Sequence, residues 1–375
     1  GAPWRHRRQR RQGESRRVAG GYSVAMFQWT RAGTEDRWHG PGRPGGYEWW
    51  GFEALDADRR LAFSLRIAAG DPMDPEYVAC MARASGSRSA LVQEHILVRA
   101  VLYRDGRRVM ARSFRPDPDT FRASSTSGAV QAGGISVVVE ETAGGRTYRV
   151  ELEPGTVLEF AGPPGRAPAV GTPAGPVWDL SWLNLAVRGR IRLGQGKAAE
   201  TVTFSGRGVH DHGYGPVSPL SKVRSWAWGW GHAWEYGIAW RQVHLVSGEV
   251  DTLLLVDREG EPLLAETARS RPFRRRYSLL GIPYRRQWRL DTPSGAGLAV
   301  ERQATLGSSP VGMRLLTNLR LSVRDPETRL RLVDGIGMSS VARPQRARLR
   351  SLRWLVRARE TWTTRSAGGQ PPSTG

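Results

Sequence analysis

Apolar and polar positions along the chain fall mostly into short alternating runs. Leu61-Ala-Phe-Ser-Leu-Arg-Ile67 sets an apolar side chain at every second position, which is the period of a strand with one face buried. Just upstream, Tyr47-Glu-Trp-Trp-Gly-Phe-Glu-Ala-Leu55 is aromatic-rich and strand-like, and a turn over Asp56–Arg60 makes the two a hairpin. Further strands are predicted at Ile96–Tyr103, Val109–Phe114, Ile135–Glu140, Tyr148–Leu152 and Val157–Phe160, with turn pairs such as Asp105-Gly106 and Gly144-Gly145 between some of them. Residues 161–177, rich in Gly, Pro and Ala, read as a long loop, followed by strands at Asn184–Leu193 and Glu200–Phe204. The pattern continues through Ser225–Trp230, Tyr236–Leu245, Glu249–Val256, Tyr284–Leu290, Leu298–Arg302, Met313–Val323 and Leu330–Val333. The best helical period is in Arg346–Val356, where Leu349, Leu352 and Leu355 recur among arginines. That stretch reads either as a short amphipathic helix on a headgroup surface or as a helix docked on its own domain. So many short strands predict an all-β chain of sandwich or barrel type.

Composition agrees with this reading. The 375 residues suffice for about two domains. The 45 glycines and 24 prolines suit many turns. A single cysteine, Cys80, excludes an internal disulfide. No apolar run approaches ~18 residues, so no transmembrane helix is expected. Nor is there the apolar segment of a signal peptide, so a cytoplasmic location is expected.

The charge changes the picture of the surface. The net charge is +21, nearly all of it arginine. Residues 1–17, 271–289 and 343–365 together hold 20 of these units. Two readings stand. One is a surface for an anionic partner, which would place the protein peripherally at the inner membrane face. The other is a set of solvated faces with a disordered basic tail at the start. No helix-turn-helix, zinc finger or single-strand-binding signature accompanies the arginines, so nucleic acid is not an expected partner.

The candidate chemistry is concentrated in Gly206-Arg-Gly-Val-His-Asp-His-Gly-Tyr-Gly215, followed by Trp226-Ala-Trp-Gly-Trp230. In an extended segment His210 and His212 point one way and Asp211 the other. A turn at Gly213 and Gly215 would let the three converge on one cavity. Three readings follow. The first is acid/base chemistry, with Asp211 or a histidine delivering a proton. The second is a metal site built from His210, His212 and a distant third ligand such as His244 or His232. The third is a structural one, with the polar residues ordering a domain junction. Trp226, Trp228 and Trp230 share one strand face, and Trp240 and Trp50 are further candidates for an aromatic wall. Such a wall beside convergent polar groups suits a small-molecule pocket, and indole faces also stabilise cations.

These residues resemble the carotenoid 1,2-hydratase (hydroxyneurosporene synthase) family and its wider superfamily, which includes AttH-like proteins and fungal Diels–Alderases. The resemblance lies in Gly206, Gly208, His210, Asp211, His212 and Gly215, then Pro219-Leu220 and Trp226-x-Trp228, with Glu48-Trp49-Trp50-Gly51-Phe52 upstream. It spans residues 45–365. It implies two tandem lipocalin-like β-barrel or sandwich domains, at residues 40–220 and 221–366, between tails at 1–39 and 367–375. It also implies cofactor-free, metal-free hydration of a terminal double bond in an acyclic isoprenoid, with Asp211 and His212 at the working positions; in this chain Asp211 is the candidate acid, His210 and His212 set its charge, and Tyr214 is an auxiliary donor. An apolar, isoprenoid-like ligand is the implied partner. The chain departs from the family at Val209, Gly213 and Tyr214, and lacks the Tyr-x-Asp pair expected near Ile238-Ala-Trp-Arg-Gln242. These departures leave room for a binding protein or pericyclase of the same fold.

Overall fold

A computed structural model describes residues 28–30, 36–41, 44–83, 91–152, 155–163, 176–194, 199–218, 222–273, 275–325 and 328–349. Residues 1–27 and 31–35 of the tail expected at 1–39, the tail at 367–375, most of the 161–177 loop and the distal part of the Arg346–Val356 helix lie outside the described residues; the described part of 1–39 is not a free tail, since Gln28–Thr30 is a strand and Asp36 is buried against Tyr148.

The architecture is all-β, in two lipocalin-like units. The main path of a twelve-stranded sheet, edge to edge, begins with Arg107–Phe114, Ile96–Arg104, Leu61–Ala69, Tyr47–Asp56 and Glu200–Gly215. It goes on through Val177–Leu193, Thr156–Gly162, Gly145–Leu152, Ile135–Thr142, Val130–Ala132 and Arg122–Ala123. Gln28–Thr30 adds to it in parallel, against Val177–Asp179. The second sheet has nine strands and curls into a nearly closed barrel, from Glu261–Thr267 at one edge to Arg269–Pro272 at the other. Inside it, Val223–Ala233 pairs with Tyr236–Leu245 on one side and with the central strand, Thr328–Ala342, on the other. Among the described residues there is one α-helix, Pro75–Arg83.

Three apolar layers result. Trp50, Phe52, Phe63, Leu65, Tyr148 and Phe160 belong to the core of the first unit. Trp240, Trp288, Leu290 and Leu298 belong to the interior of the barrel. A third layer joins the two sheets: Tyr47, Trp49, Trp178 and Val209 from the first meet Trp226, Trp230, Val243 and Leu255 from the second. Strand Tyr47–Asp56 therefore buries both faces, so its acids Glu48 and Glu53 are taken out of water and must find partners inside the protein.

Several predicted elements change in extent. The strand expected to end at Phe204 runs to Gly215, so the whole polar motif lies inside it. The strand before it begins at Val177. Leu330–Val333 lies near the start of a longer strand spanning Thr328–Ala342. The Arg346–Val356 helix is not formed in its described part. Pro344–Arg348 is a short 3-10 turn and Leu349 is extended, because the preceding proline suits a tight turn and Ala347, not a leucine stripe, is the buried residue.

Candidate functional site

Strand Glu200–Gly215 sits at the middle of the first sheet, paired antiparallel with both Tyr47–Asp56 and Val177–Leu193. Asp211 lies opposite Gly51, His210 opposite Phe52, and His212 opposite Trp50. The strand runs on through Gly213 and Gly215 without turning, so the three polar side chains do not converge. Strand geometry wins over glycine freedom because two neighbours hydrogen-bond the segment on both edges. Gly213 has a different use. A Cβ there would lie 2.1 Å from the Trp49 ring, so the missing side chain is what lets that indole lie over the strand. Gly51 likewise makes room for Asp211, whose Oδ1 would be 2.1 Å from an added Cβ.

Asp211 faces the layer between the sheets. Its Oδ2 accepts the indole N–H of Trp49 at 2.8 Å and that of Trp178 at 3.1 Å. Both rings then meet Trp226 of the second sheet, Trp49 at 6.3 Å and Trp178 edge-on at 6.0 Å. A parallel link is made by Glu53, which accepts the Trp230 indole N–H at 2.6 Å and pairs with Arg314 at 2.7 Å. The motif's carboxylate is thus an acceptor that orients two indoles of the first sheet, and those indoles pack on Trp226 of the second.

His210 and His212 face the interior of the first unit, both 1% exposed. The His210 ring stacks on Phe52 at 4.3 Å and its Nδ1 sits 2.9 Å from the Gly51 carbonyl, so that nitrogen carries the proton. Burial holds this imidazole down to about 4, well into the neutral form at pH 7. Its Nε2 lies 3.9 Å from Asp36, which accepts the Tyr148 hydroxyl at 2.6 Å and an Arg146 N–H at 3.1 Å. Burial, then the Asp36 carboxylate, pushes the Tyr148 phenol well up. His212 Nε2 lies 3.0 Å from Glu48, and His39 Nδ1 reaches the same carboxylate oxygen at 3.2 Å. Desolvation opposes charge on the fully buried Glu48. The two histidines and their hydrogen bonds outweigh it, and the carboxyl is held below its usual range. Tyr214 stacks on His39 at 3.6 Å, on the His212 side of the strand and away from Asp211.

His39, Glu48 and His212 bring one donor atom each within 4.8 Å of one another, the one such metal-capable group among the described residues. The third ligands considered from sequence, His232 and His244, lie on strands of the second sheet instead.

The aromatic wall is divided too. Trp226 and Trp230 are buried between the sheets with Trp228 packed against them, Trp50 is in the core of the first unit, and Trp240 points into the barrel. A cavity of about 80 Å³ opens from the barrel and draws on both faces. Its apolar lining comes from Trp226, Trp240, Trp288 and Leu290, and its polar lining includes Gln242, His244 and Tyr284. Burial, reinforced by nearby arginines, lowers the proton affinity of His244.

Sequence reasoning missed Asp36, Arg146 and Tyr148: Asp36 lies more than a hundred positions from the other two, and no local pattern links them. Glu48 and Trp49 were visible in the aromatic opening, but nothing local says that they face opposite sides of one strand toward His212 and Asp211.

No protein-family model matches this chain, and no curated protein matches it in sequence. Solved structures do match in fold. A protein assigned as an AttH from Nitrosomonas europaea superposes with a TM-score of 0.55 at 16% identity, over 84% of this chain and 97% of that one. CghA, crystallised with Sch210972, gives 0.53 at 11% identity, over 80% and 89%. Kievitone hydratase from Nectria haematococca gives 0.47 at 11% identity, over 85% and 96%. The first two establish the shared two-unit β architecture. Among the described residues no helix is long and apolar enough to cross a membrane.

Proposed function

We propose that the protein is a small-molecule binding protein of this two-unit fold, taking a largely apolar ligand into the cavity of its second unit. The observation that carries the reading is the make-up of the cavity wall, which has three indoles and a leucine beside a few polar groups. Trp226 belongs both to this lining and to the layer that joins the sheets, so ligand occupancy is coupled to the Trp49–Asp211–Trp178 junction. CghA, similar only in fold, was crystallised with a small molecule, which is consistent with this class of function. The test is native mass spectrometry of the purified protein for a retained apolar molecule. Quenching of tryptophan fluorescence by dodecanol, in wild type and Trp240→Ala, accompanies it. Retention or quenching by wild type that is weakened in Trp240→Ala supports the reading. A wild type that takes up no apolar molecule overturns it.

A second reading is acid-catalysed hydration of an isoprenoid double bond. It is favoured by the dry polar cluster around the motif, where Tyr148, Asp36 and His210 form a chain of potential proton carriers. It assigns the work to the His210 side of the strand rather than to Asp211, whose Oδ2 is engaged by two donors. Assay of acyclic carotenoids with wild type, Asp211→Asn and Tyr148→Phe separates the two readings. Turnover lost in Tyr148→Phe at unchanged stability favours hydration, and absence of turnover in wild type removes it.

A further inference from the structure

The rim of the barrel cavity carries a concentration of positive charge without counter-charge. Arg275, Arg285 and Arg343 line it, Arg224 lies close enough to act on the same groups, and no acidic side chain lines it among the described residues. Arg275 and Arg285 come from the two strands of a small hairpin and are register partners, directly opposite one another. Like charges in that position destabilise a strand pair. Nη1 of Arg285 and Nε of Arg343 are buried and make no hydrogen bond. A buried donor on a cation left unmatched is among the more expensive arrangements in a protein.

The rest of the barrel shows that this is not a shortage of acids. Arg241 pairs with Asp251, Arg258 with Glu235, Arg314 with Glu53 and Arg320 with Asp334. Arg275, Arg285 and Arg343, brought together from separate stretches of the chain, line one cavity and meet one another's charge there instead. The effect reaches their ionisation. Burial and then Arg275 lower the proton affinity of both Arg285 and Arg343. Below the rim the lining turns apolar, with Trp240, Trp288 and Leu290.

We infer that this cavity takes an amphipathic anion, a single carboxylate or phosphate head on an apolar tail, with the head held by Arg275, Arg285 and Arg343 and the tail against Trp240 and Trp288. The inference rests on the cavity being the binding site and adds the charge and polarity of its ligand. Two donors left unmatched gain an acceptor, the Arg275–Arg285 repulsion is relieved, and the planar guanidinium suits both kinds of oxyanion. The same head group occurs on free amphiphiles and on bilayer lipids, and the test separates these sources.

The experiment compares dodecyl phosphate, dodecanoate and dodecanol by tryptophan fluorescence titration, below their aggregation thresholds. Phosphatidylglycerol vesicles are run alongside. Proteins are wild type, Arg275→Gln, Arg285→Gln, Arg343→Gln and the Arg285→Gln/Arg343→Gln double variant. The expected result is that at least one anion binds wild type about tenfold or more tighter than dodecanol, the worth of one charge-assisted hydrogen bond. That advantage is lost in the double variant while dodecanol affinity is unchanged. A second readout guards against misfolding: the bound anion raises the melting midpoint of wild type and not of the double variant. The exposed Arg275→Gln reduces the anion preference on an undisturbed fold. Dodecanol binding as tightly as both anions overturns the inference and leaves the cavity reading intact. Failure of all three amphiphiles overturns both. An anion preference that survives all the arginine substitutions, or binding to vesicles without binding to free amphiphiles, overturns the inference by moving the charge recognition elsewhere.

Discussion

Replacing Asp211 separates a structural acceptor from a catalytic acid. Both indole donors, from Trp49 and Trp178, end on one carboxylate oxygen in the layer between the sheets. Asp211→Ala strands two buried N–H groups, and each unmatched donor costs about 1–3 kcal/mol, so the variant is expected to lose about 2–6 kcal/mol. Asp211→Asn keeps a carbonyl oxygen that can accept both bonds and loses mainly their charge assistance, an expected loss of about 1–2 kcal/mol. For a unit of this size about 2 °C of melting midpoint corresponds to 1 kcal/mol, so the midpoints should fall by about 4–12 °C and 2–4 °C. Differential scanning calorimetry with near-ultraviolet circular dichroism reads both the midpoint and the indole environment. Trp49→Phe and Trp178→Phe complete a double-mutant cycle in which the loss from Asp211→Ala shrinks once the donors are gone. If Asp211→Ala melts within about 1 °C of wild type, a change below 0.5 kcal/mol, the acceptor role is refuted.

Four other outcomes are expected. Gly213→Ala forces a Cβ into the Trp49 ring and should destabilise by about 1–3 kcal/mol as an overpacking change, with loss of the Trp49 signal in circular dichroism; a neutral substitution would contradict the packing. His210 and His232 are held neutral by burial, both down to about 4. Their folded-state affinity for protons lies below the unfolded value near 6.5, so the unfolded chain binds more protons between the two. The stability they contribute is complete above pH 6.5 and declines as pH falls toward 4, and a melting midpoint flat from pH 7 to 5 would count against it. The arginine-rich surface should bind anionic vesicles weakly, with affinity falling as salt rises because screening acts over about 8 Å at physiological ionic strength; tight duplex DNA binding without vesicle binding would reverse the choice of partner. Elemental analysis of purified protein should find no stoichiometric metal, whereas near-stoichiometric zinc lost on His39→Ala would turn the His39–Glu48–His212 cluster into a metal centre.

The strands were legible because a half-buried sheet writes its period into the sequence. The run Leu61–Ile67 lies inside the strand Leu61–Ala69 for that reason. The helix Pro75–Arg83 was not read, since it is short and its buried set, Pro75, Tyr77, Val78 and Ala79, mimics no clear period. In the candidate site, the opposite facing of Asp211 and the two histidines follows from strand geometry alone. Which side is dry and polar and which is the junction does not. That depends on Asp36, Glu48, Trp49, Tyr148 and Trp178, delivered by pairings that no local window contains. The cavity arginines were counted as surface charge, because sequence shows a run of like charges but not the small hairpin that brings Arg275 and Arg285 to the same cavity as Arg343.

The place of Glu200–Gly215 at the middle of the first sheet also bears on how the chain is made. His212 meets Glu48 across 164 positions. A ribosome adding about 5–20 residues per second takes about ten to thirty seconds to cover that interval. Throughout it, Tyr47–Asp56 is a nascent strand with one free edge and an aromatic surface, the kind of edge on which foreign strands add. The first unit is thus completed late, when the motif emerges and slots between two waiting neighbours. Ribosome-bound chains ending before residue 200 should be chaperone clients, and chains extending well past residue 215 should shed them.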